Sequence, residues 1–181
     1  MKKIKTLYKR DFENGRLIIN EVNEESVWVL NGEGIATRKF DGTCCMINEG
    51  KLYKRYDCKK GENPPAGFIA AQDPDPVTGH WPGWLLTNDA PEDKFHREAF
   101  LKQPSWEDGT YELVGPKING NKDNFNTHIL VAHGSQIIEN IPLEFVHFKE
   151  WLEQNPIEGI VWHHPDGRMV KLRRKDFGFE W

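Results

Sequence analysis

The sequence predicts an α+β fold built mainly from antiparallel strands, and three observations carry that prediction. Nine short runs are β-branched or alternate apolar with polar residues, at 16–20, 27–30, 35–38, 43–48, 51–56, 110–114, 128–132, 159–163 and 168–172. Glycine, asparagine and aspartate punctuate the gaps between them. Only two stretches carry helical periodicity, too few to cover both faces of a parallel sheet.

Each element has a local reason. Asn48-Glu49-Gly50 joins two strands through a tight hairpin, and His164-Pro165-Asp166-Gly167 does the same for the last pair. Asn88 or Asp89 is positioned to cap a helix entering at Pro91. Glu92 and Asp93 then fall in its first turn, where the helix dipole favours acids. Phe95, Ala99 and Phe100 form its apolar stripe. A second helix is expected over 143–154, with Phe145, Phe148, Trp151 and Leu152 inward and Asn155-Pro156 as its stop. The segment 73–84, DPDPVTGHWPGW, interleaves proline and glycine with Trp81 and Trp84 and is expected to be irregular. It reads either as a surface loop pinned by its tryptophans or as a substrate-facing loop that stacks bases.

A chain of 181 residues is expected to form one domain, 1–181, around a substantial core. Seven tryptophans, ten phenylalanines and a hydrophobic fraction of 38% argue against disorder. No apolar run approaches a membrane span, and the N-terminus lacks the apolar core of a secretory signal, so no membrane partner is expected. The net charge of −4 argues against a protein that coats nucleic acid by bulk attraction. Basic residues do cluster locally, at Lys51, Lys54, Arg55, Lys59 and Lys60 and again at Arg168, Lys171, Arg173, Arg174 and Lys175. Three cysteines, two of them adjacent, suit a reducing, cytoplasmic setting. They lack C-x-x-C spacing, and no H-x-x-x-H helix exists, so neither a zinc site nor a histidine metal site is expected.

The chemistry-bearing residues begin with Lys39-Phe40-Asp41-Gly42, a lysine at the end of a strand followed by an acid and a glycine turn. Alone this is a weak signal, since an ordinary surface lysine at a turn has the same appearance. Four further motifs follow in order: Lys54-Arg55, Tyr111-Glu112-Leu113-Val114-Gly115, Glu158-Gly159-Ile160-Val161 and Val170-Lys171-Leu172-Arg173. Together they resemble the covalent nucleotidyltransferase superfamily of ATP-dependent DNA ligases, RNA ligases and capping enzymes. The resemblance runs over nearly the whole chain. The strings KFDGTCC, YELVGPKINGN and KLRRKDF look like the small RNA ligase family that includes a vertebrate 5′–3′ enzyme.

This resemblance implies an ATP-grasp-like nucleotidyltransferase domain of antiparallel sheets flanked by a few helices, without an OB-fold domain. It implies a ligase that joins RNA 5′-phosphate and 3′-hydroxyl ends through a lysyl-AMP intermediate. Lys39 is then the nucleophile. A lysine amine is protonated at neutral pH unless nearby cations or burial favour the neutral form, and Lys171 and Arg173 are the expected cations. The same two would hold the α-phosphate. Glu158 is expected to hold Mg²⁺ or Mn²⁺, with Glu112 as a second metal or ribose ligand. Arg55 is expected to contact ribose or phosphate. Lys117 and Asn119 either touch phosphate or belong to a glycine- and asparagine-rich turn.

The adenine platform is harder to read. Relatives often stack an aromatic residue on the base, but the strand at 128–132 is mostly aliphatic. Ile160 or Val161 is the expected apolar wall, and the backbone around Thr37 and Arg38 is expected to read the adenine edge. RNA is expected to meet Arg168, Arg173, Arg174 and Lys175, with 51–60 as a second wall. A capping-type guanylyltransferase, a DNA nick ligase and a nucleotide- or RNA-binding module without turnover are the competing readings. A monomer is expected.

Overall fold

The computed structural model describes residues 1–181. In chain order the strands are β1 (Lys5–Thr6), β2 (Tyr8–Arg10), β3 (Ile18–Val22), β4 (Ile35–Lys39), β5 (Thr43–Asn48), β6 (Lys51–Cys58), β7 (Ile69–Ala70), β8 (Trp81–Leu86), β9 (Gly109–Val114), β10 (Ile129–Ala132), β11 (Gly159–His163) and β12 (Met169–Arg173). The helices are α1 (Val27–Leu30), α2 (Lys94–Phe100) and α3 (Phe145–Gln154). The fold is α+β, with antiparallel pairing throughout except for β1 beside β12. No helix is long and apolar enough to cross a membrane.

The chain divides into two compact units. The first comprises Met1–Lys3 and Asp41–His133, the second Ile4–Phe40 and Gly134–Trp181. In the first unit one six-stranded sheet runs in the order β10-β9-β5-β6-β8-β7. Its core gathers Cys45, Ile47, Leu52, Tyr111, Leu113 and Leu130, with Ala99 and Phe95 of α2 packed onto it. The alternation of β5 explains the two adjacent cysteines: Cys45 points into this core and is fully buried, whereas Cys44 faces the other side of the sheet.

In the second unit a four-stranded sheet runs β1-β12-β11-β4, beside the ribbon β2-β3. One face of the larger sheet supplies Ile160, Trp162, Val170 and Leu172 to a core completed by Trp28, Val29, Phe148 and Leu152. The expected inward set of α3 is therefore observed, with Phe148 and Leu152 fully buried and Phe145 and Trp151 packed at the margin.

Three expectations need correction. Residues 27–30 form a helical turn, not a strand. A 3₁₀ turn over Glu24–Ser26 leads into it, and adjacent Trp28 and Val29 are both buried while Val27 is exposed. A strand cannot bury two neighbours on one face, but a helical turn can. Residues 81–84 are not irregular, because Trp81 opens β8, which pairs with β6 along its length. Pro82 is tolerated where the pairing with two-residue β7 ends, and its carbonyl still accepts from the Ala71 N–H at 3.0 Å. Trp84 is buried and lies under the Arg55 guanidinium at 4.9 Å, so it is not available to stack a base. Trp81 does pin the preceding loop, donating from its indole to the Gln72 carbonyl at 2.8 Å.

The third correction concerns Arg174, expected in an RNA-facing patch. Its guanidinium donates instead to the carbonyls of Leu152, Glu153 (3.3 Å) and Asn155 (3.2 Å), which lie at the C-terminal end of α3. Those carbonyls have no partner within the helix, so a cation there satisfies them and complements the helix dipole. Arg174 is a helix-capping residue.

Candidate active site and comparisons with known proteins

The face of the second unit's sheet opposite its core carries most of the expected site. Strand register places Lys39 opposite Gly159 and Gly159 opposite Arg173, while Thr37 lies opposite Val161 and Val161 opposite Lys171. Side chains at these positions share one face, and Arg38, Ile160 and Leu172 share the other. Gly159 is required by close approach: a Cβ there would lie 2.3 Å from the Leu172 carbonyl oxygen and 2.8 Å from the Arg173 Cα. The glycine of the Glu158-Gly159 pair thus lets β11 and β12 close while Glu158 sits at the strand's entrance.

Lys39 Nζ donates to Glu158 Oε2 at 2.5 Å and to its neighbour's carbonyl, Phe40 O, at 3.3 Å. Both side chains are largely buried, so the pair is a charge-assisted contact with little solvent screening. Lys171 lies on the same face. Burial, then the positive charges of Arg173 and Lys39, bring its ammonium down from the usual lysine range to about 8. A cation so poorly solvated and so close to other cations is primed to receive an anion.

Arg173 was expected to hold phosphate beside Lys171. Its Nε and Nη2 instead contact Asp176, with Nη2 at 2.9 Å from Oδ1, and its backbone N–H also donates to Asp176 at 2.9 Å. Asp176 is brought back by the 3₁₀ turn that follows β12. Burial alone would raise its carboxyl, but hydrogen bonds from Arg173 and Arg10 outweigh burial and hold it below the usual carboxylate range. Arg173 therefore adds charge to the site while two of its nitrogens are committed elsewhere.

The expected adenine contacts are also redrawn. Ile160 is fully buried in the core on the opposite face from Lys39, and Val161 is the residue of that pair that shares the lysine's face. The outer edge of β4 is occupied: the Arg38 N–H donates to Gln136 O at 2.8 Å, and the Ile138 N–H donates to Ala36 O at 2.9 Å. Edge strands are commonly covered in this way. The Arg38 guanidinium stacks over the Phe40 ring at 4.7 Å. Thr37 is buried, with its hydroxyl donating to Val161 O at 3.1 Å and paired with His163 Nε2 at 3.0 Å.

The first unit holds the remaining motif residues. Glu112 on β9 accepts from the Gly42 N–H at 3.1 Å through Oε1 and pairs with His133 Nε2 at 2.9 Å through Oε2. Asn119 donates to Gly42 O at 2.7 Å and to Asp41 Oδ1 at 3.1 Å, so it ties down the Asp41-Gly42 turn. This favours the turn reading of Asn119 over a phosphate contact. Arg55 is half buried, which lowers its guanidinium from the usual arginine value, and it donates to Met1 O at 2.8 Å. Lys54 pairs with buried Asp93 at 2.6 Å.

Gly42 is fixed by its surroundings. An added Cβ would lie 2.2 Å from Leu113 O, 2.7 Å from Glu112 Cγ and 2.9 Å from Val114 Cγ1. Two of those three contacts are with β9 backbone or the first atoms of a buried side chain, which cannot swing aside. Gly42→Ala is expected to destabilise the protein by about 2 kcal/mol or more, as overpacking against fixed atoms does. In a chain of this length that lowers the melting temperature by about 4–8 °C. An unchanged melting temperature would show that the turn relaxes at no cost.

The family model described as RNA ligase 1 matches residues 85–181, more than half of the chain. The chain is 25% identical to RNA ligase 1 of Rattus norvegicus over 248 residues, covering 96% of this chain and 76% of the rat protein. It is 27% identical to RNA ligase 1 of Pongo abelii over 221 residues, covering 81% of this chain and 68% of that protein. A shorter match, 37% identical over 81 residues, covers 40% of this chain and 25% of RNA ligase 1 of Danio rerio. The matched span contains Glu112, Glu158, Lys171 and Arg173, and with it the chain belongs to the RNA ligase 1 family.

Proposed function

We propose that this protein is an ATP-dependent RNA ligase that joins 5′-phosphate and 3′-hydroxyl ends through a lysyl-AMP intermediate, on a nucleotidyltransferase fold acting as one adenylyltransferase domain. The observation that carries this reading is the cluster of Lys39 and Lys171 on one sheet face with Glu158 at the entrance of β11, where a lysine amine meets a buried carboxylate and a second lysine has a pKa lowered to about 8.

The amine of Lys39 attacks the α-phosphorus of ATP. A nitrogen–phosphorus bond forms, the bond to the pyrophosphate oxygen breaks, and the amine's proton leaves. Glu158 Oε2, which holds the Lys39 ammonium, takes the first proton and so frees the amine to attack, and the second proton passes to solvent as the phosphoramidate forms. Lys171, a poorly solvated cation, binds the triphosphate and offsets charge developing at the α-phosphate. The AMP then passes to an RNA 5′-phosphate, and the 3′-hydroxyl displaces it. Glu112 and Arg55 belong to the other compact unit and are given no step.

Glu158 also fits a divalent metal ion: it is a buried carboxylate, and Mg²⁺ takes one or two such oxygens beside water and phosphate oxygens. Such an ion supplies positive charge against the triphosphate. Glu112 fits Mg²⁺ less well, because one oxygen accepts from the Gly42 N–H and the other faces the His133 imidazole, a nitrogen ligand that Mg²⁺ does not favour.

The direct test is sealing of an RNA carrying a 5′-phosphate and a 3′-hydroxyl in the presence of ATP and magnesium. Product formed with DNA ends but never with RNA ends would overturn the substrate assignment. A covalent adduct with GTP in preference to ATP would move the chain toward capping chemistry. Glu158→Gln keeps the shape and removes the charge. It is expected to slow adduct formation by about 10- to 100-fold. Adenylylation at the unsubstituted rate in this variant, measured at low magnesium, would remove Glu158 from the chemistry.

A further inference from the structure

We propose that Cys44, Glu112 and His133 form a binding site for a thiophilic divalent cation, with Zn²⁺ as the preferred ion. The three residues come from β5, β9 and the end of β10, and each offers one ligand atom, all within 4.8 Å of one another. Sequence spacing could not reveal the set, because the sheet and not a local motif assembles it. Cys44 lies opposite Glu112 in the β5–β9 register, so the thiol and carboxylate leave the same face of neighbouring strands. His133 follows β10 directly and is held by its backbone N–H, which donates to Thr110 O at 3.0 Å.

The donor chemistry selects the ion. A thiolate, an imidazole and a carboxylate are the ligands that Zn²⁺ takes in sites with three protein ligands, and Mg²⁺ has no use for the sulfur. Thiolate and carboxylate together carry the two negative charges that a dication neutralises. Bond lengths of about 2.3 Å to sulfur and about 2.0–2.1 Å to nitrogen and oxygen imply ligand separations of roughly 3.3–3.6 Å around a tetrahedral ion. Glu112 and His133, at 2.9 Å, open by a few tenths of an ångström and the thiol closes by up to about an ångström, which rotamer adjustment supplies. His133 presents Nε2 to the site, 2.9 Å from Glu112 Oε2, so nitrogen and carboxylate oxygen already converge there. Cys45 is no competitor, since its thiol is buried in the core and burial raises its pKa well above the usual range.

The test uses the full chain and metal alone, with no reference to ligase activity, so its failure and that of the proposed function are distinguishable. Zn²⁺ is titrated against a chromophoric chelator, and one equivalent is expected to be taken up in the presence of excess Mg²⁺. Cys44→Ser and His133→Gln, each checked for folding by its thermal melt, are expected to weaken uptake by about tenfold or more. Co²⁺ added to the unsubstituted protein should give thiolate-to-metal charge-transfer absorption, a reading that requires no variant to fold. Absence of that absorption, absence of stoichiometric Zn²⁺ uptake, or uptake that both folded variants leave unchanged would each overturn the site.

Discussion

Lys39→Arg should leave the protein folded and abolish the covalent nucleotide adduct. Arginine keeps the positive charge that pairs with Glu158 at 2.5 Å, so the electrostatic balance of the buried carboxylate is preserved. It cannot act as an amine nucleophile, because a guanidinium does not lose its proton under ordinary conditions. The variant therefore separates the two things that Lys39 does. Adduct formation with α-labelled ATP and magnesium is expected to fall by about 10³-fold or more, as when the nucleophile of a covalent mechanism is removed. Lys39→Ala should lose the adduct as well, and in addition should lose stability, because Glu158 is left as a buried carboxylate without its cation. Comparing the two melting curves tests the structural half of the argument, and the label tests the chemical half. A labelled adduct persisting in Lys39→Arg would place the nucleophile elsewhere in the chain and remove the central support of the proposed function.

The elements that sequence located best are those whose reasons are local. β5 and β11 have the bounds that their alternation indicates, and α3 presents the expected residues to its core. Sequence failed where tertiary packing outweighed local preference. Val27-Trp28-Val29-Leu30 has a strand's composition, yet burial of Trp28 beside Val29 under the second unit's sheet selects a helical turn. Trp81-Pro82-Gly83-Trp84 looks like a loop, yet the long strand β6 recruits it as a partner. The candidate site divides in the same way. The order of their motifs along the chain picks out Lys39, Glu158 and Lys171, and the fold brings these three side chains near one another. The destinations of the arginines were not legible. Arg173 turns to Asp176 and Arg174 to the end of α3, because a long cation finds whichever acceptors the fold leaves unsatisfied. Basic residues counted in sequence therefore overstate the charge available to RNA in the C-terminal cluster.

Lys171→Met should make the protein more stable and much less active, and the two changes have one cause. The folded-state pKa of Lys171 is lowered to about 8 by burial first and by Arg173 and Lys39 next. Below pH 8 the residue is protonated in both the folded and unfolded states, so the fold carries the full penalty of a poorly solvated cation. Between about pH 8 and the ordinary lysine value the unfolded chain binds more protons than the folded one, and stability rises with pH as the penalty is relieved. A shift of this size corresponds to about 3 kcal/mol. Methionine fills a similar volume without the charge, so at pH 7 it should raise the melting temperature, and the gain should shrink toward pH 10. An enzyme that keeps such a cation does so for an anion. Adenylylation in Lys171→Met is accordingly expected to fall by about 10²- to 10³-fold, the usual effect of removing one group that stabilises developing charge. In the unsubstituted protein, ATP binding should take up a proton near pH 8.5 and almost none at pH 6.5, because phosphate restores the ammonium form. Calorimetry in buffers of different ionisation enthalpy measures that uptake. A variant that gains no stability at pH 7 would show that Lys171 carries no burial penalty. Proton uptake that is unchanged by the substitution would assign the titrating group to another residue.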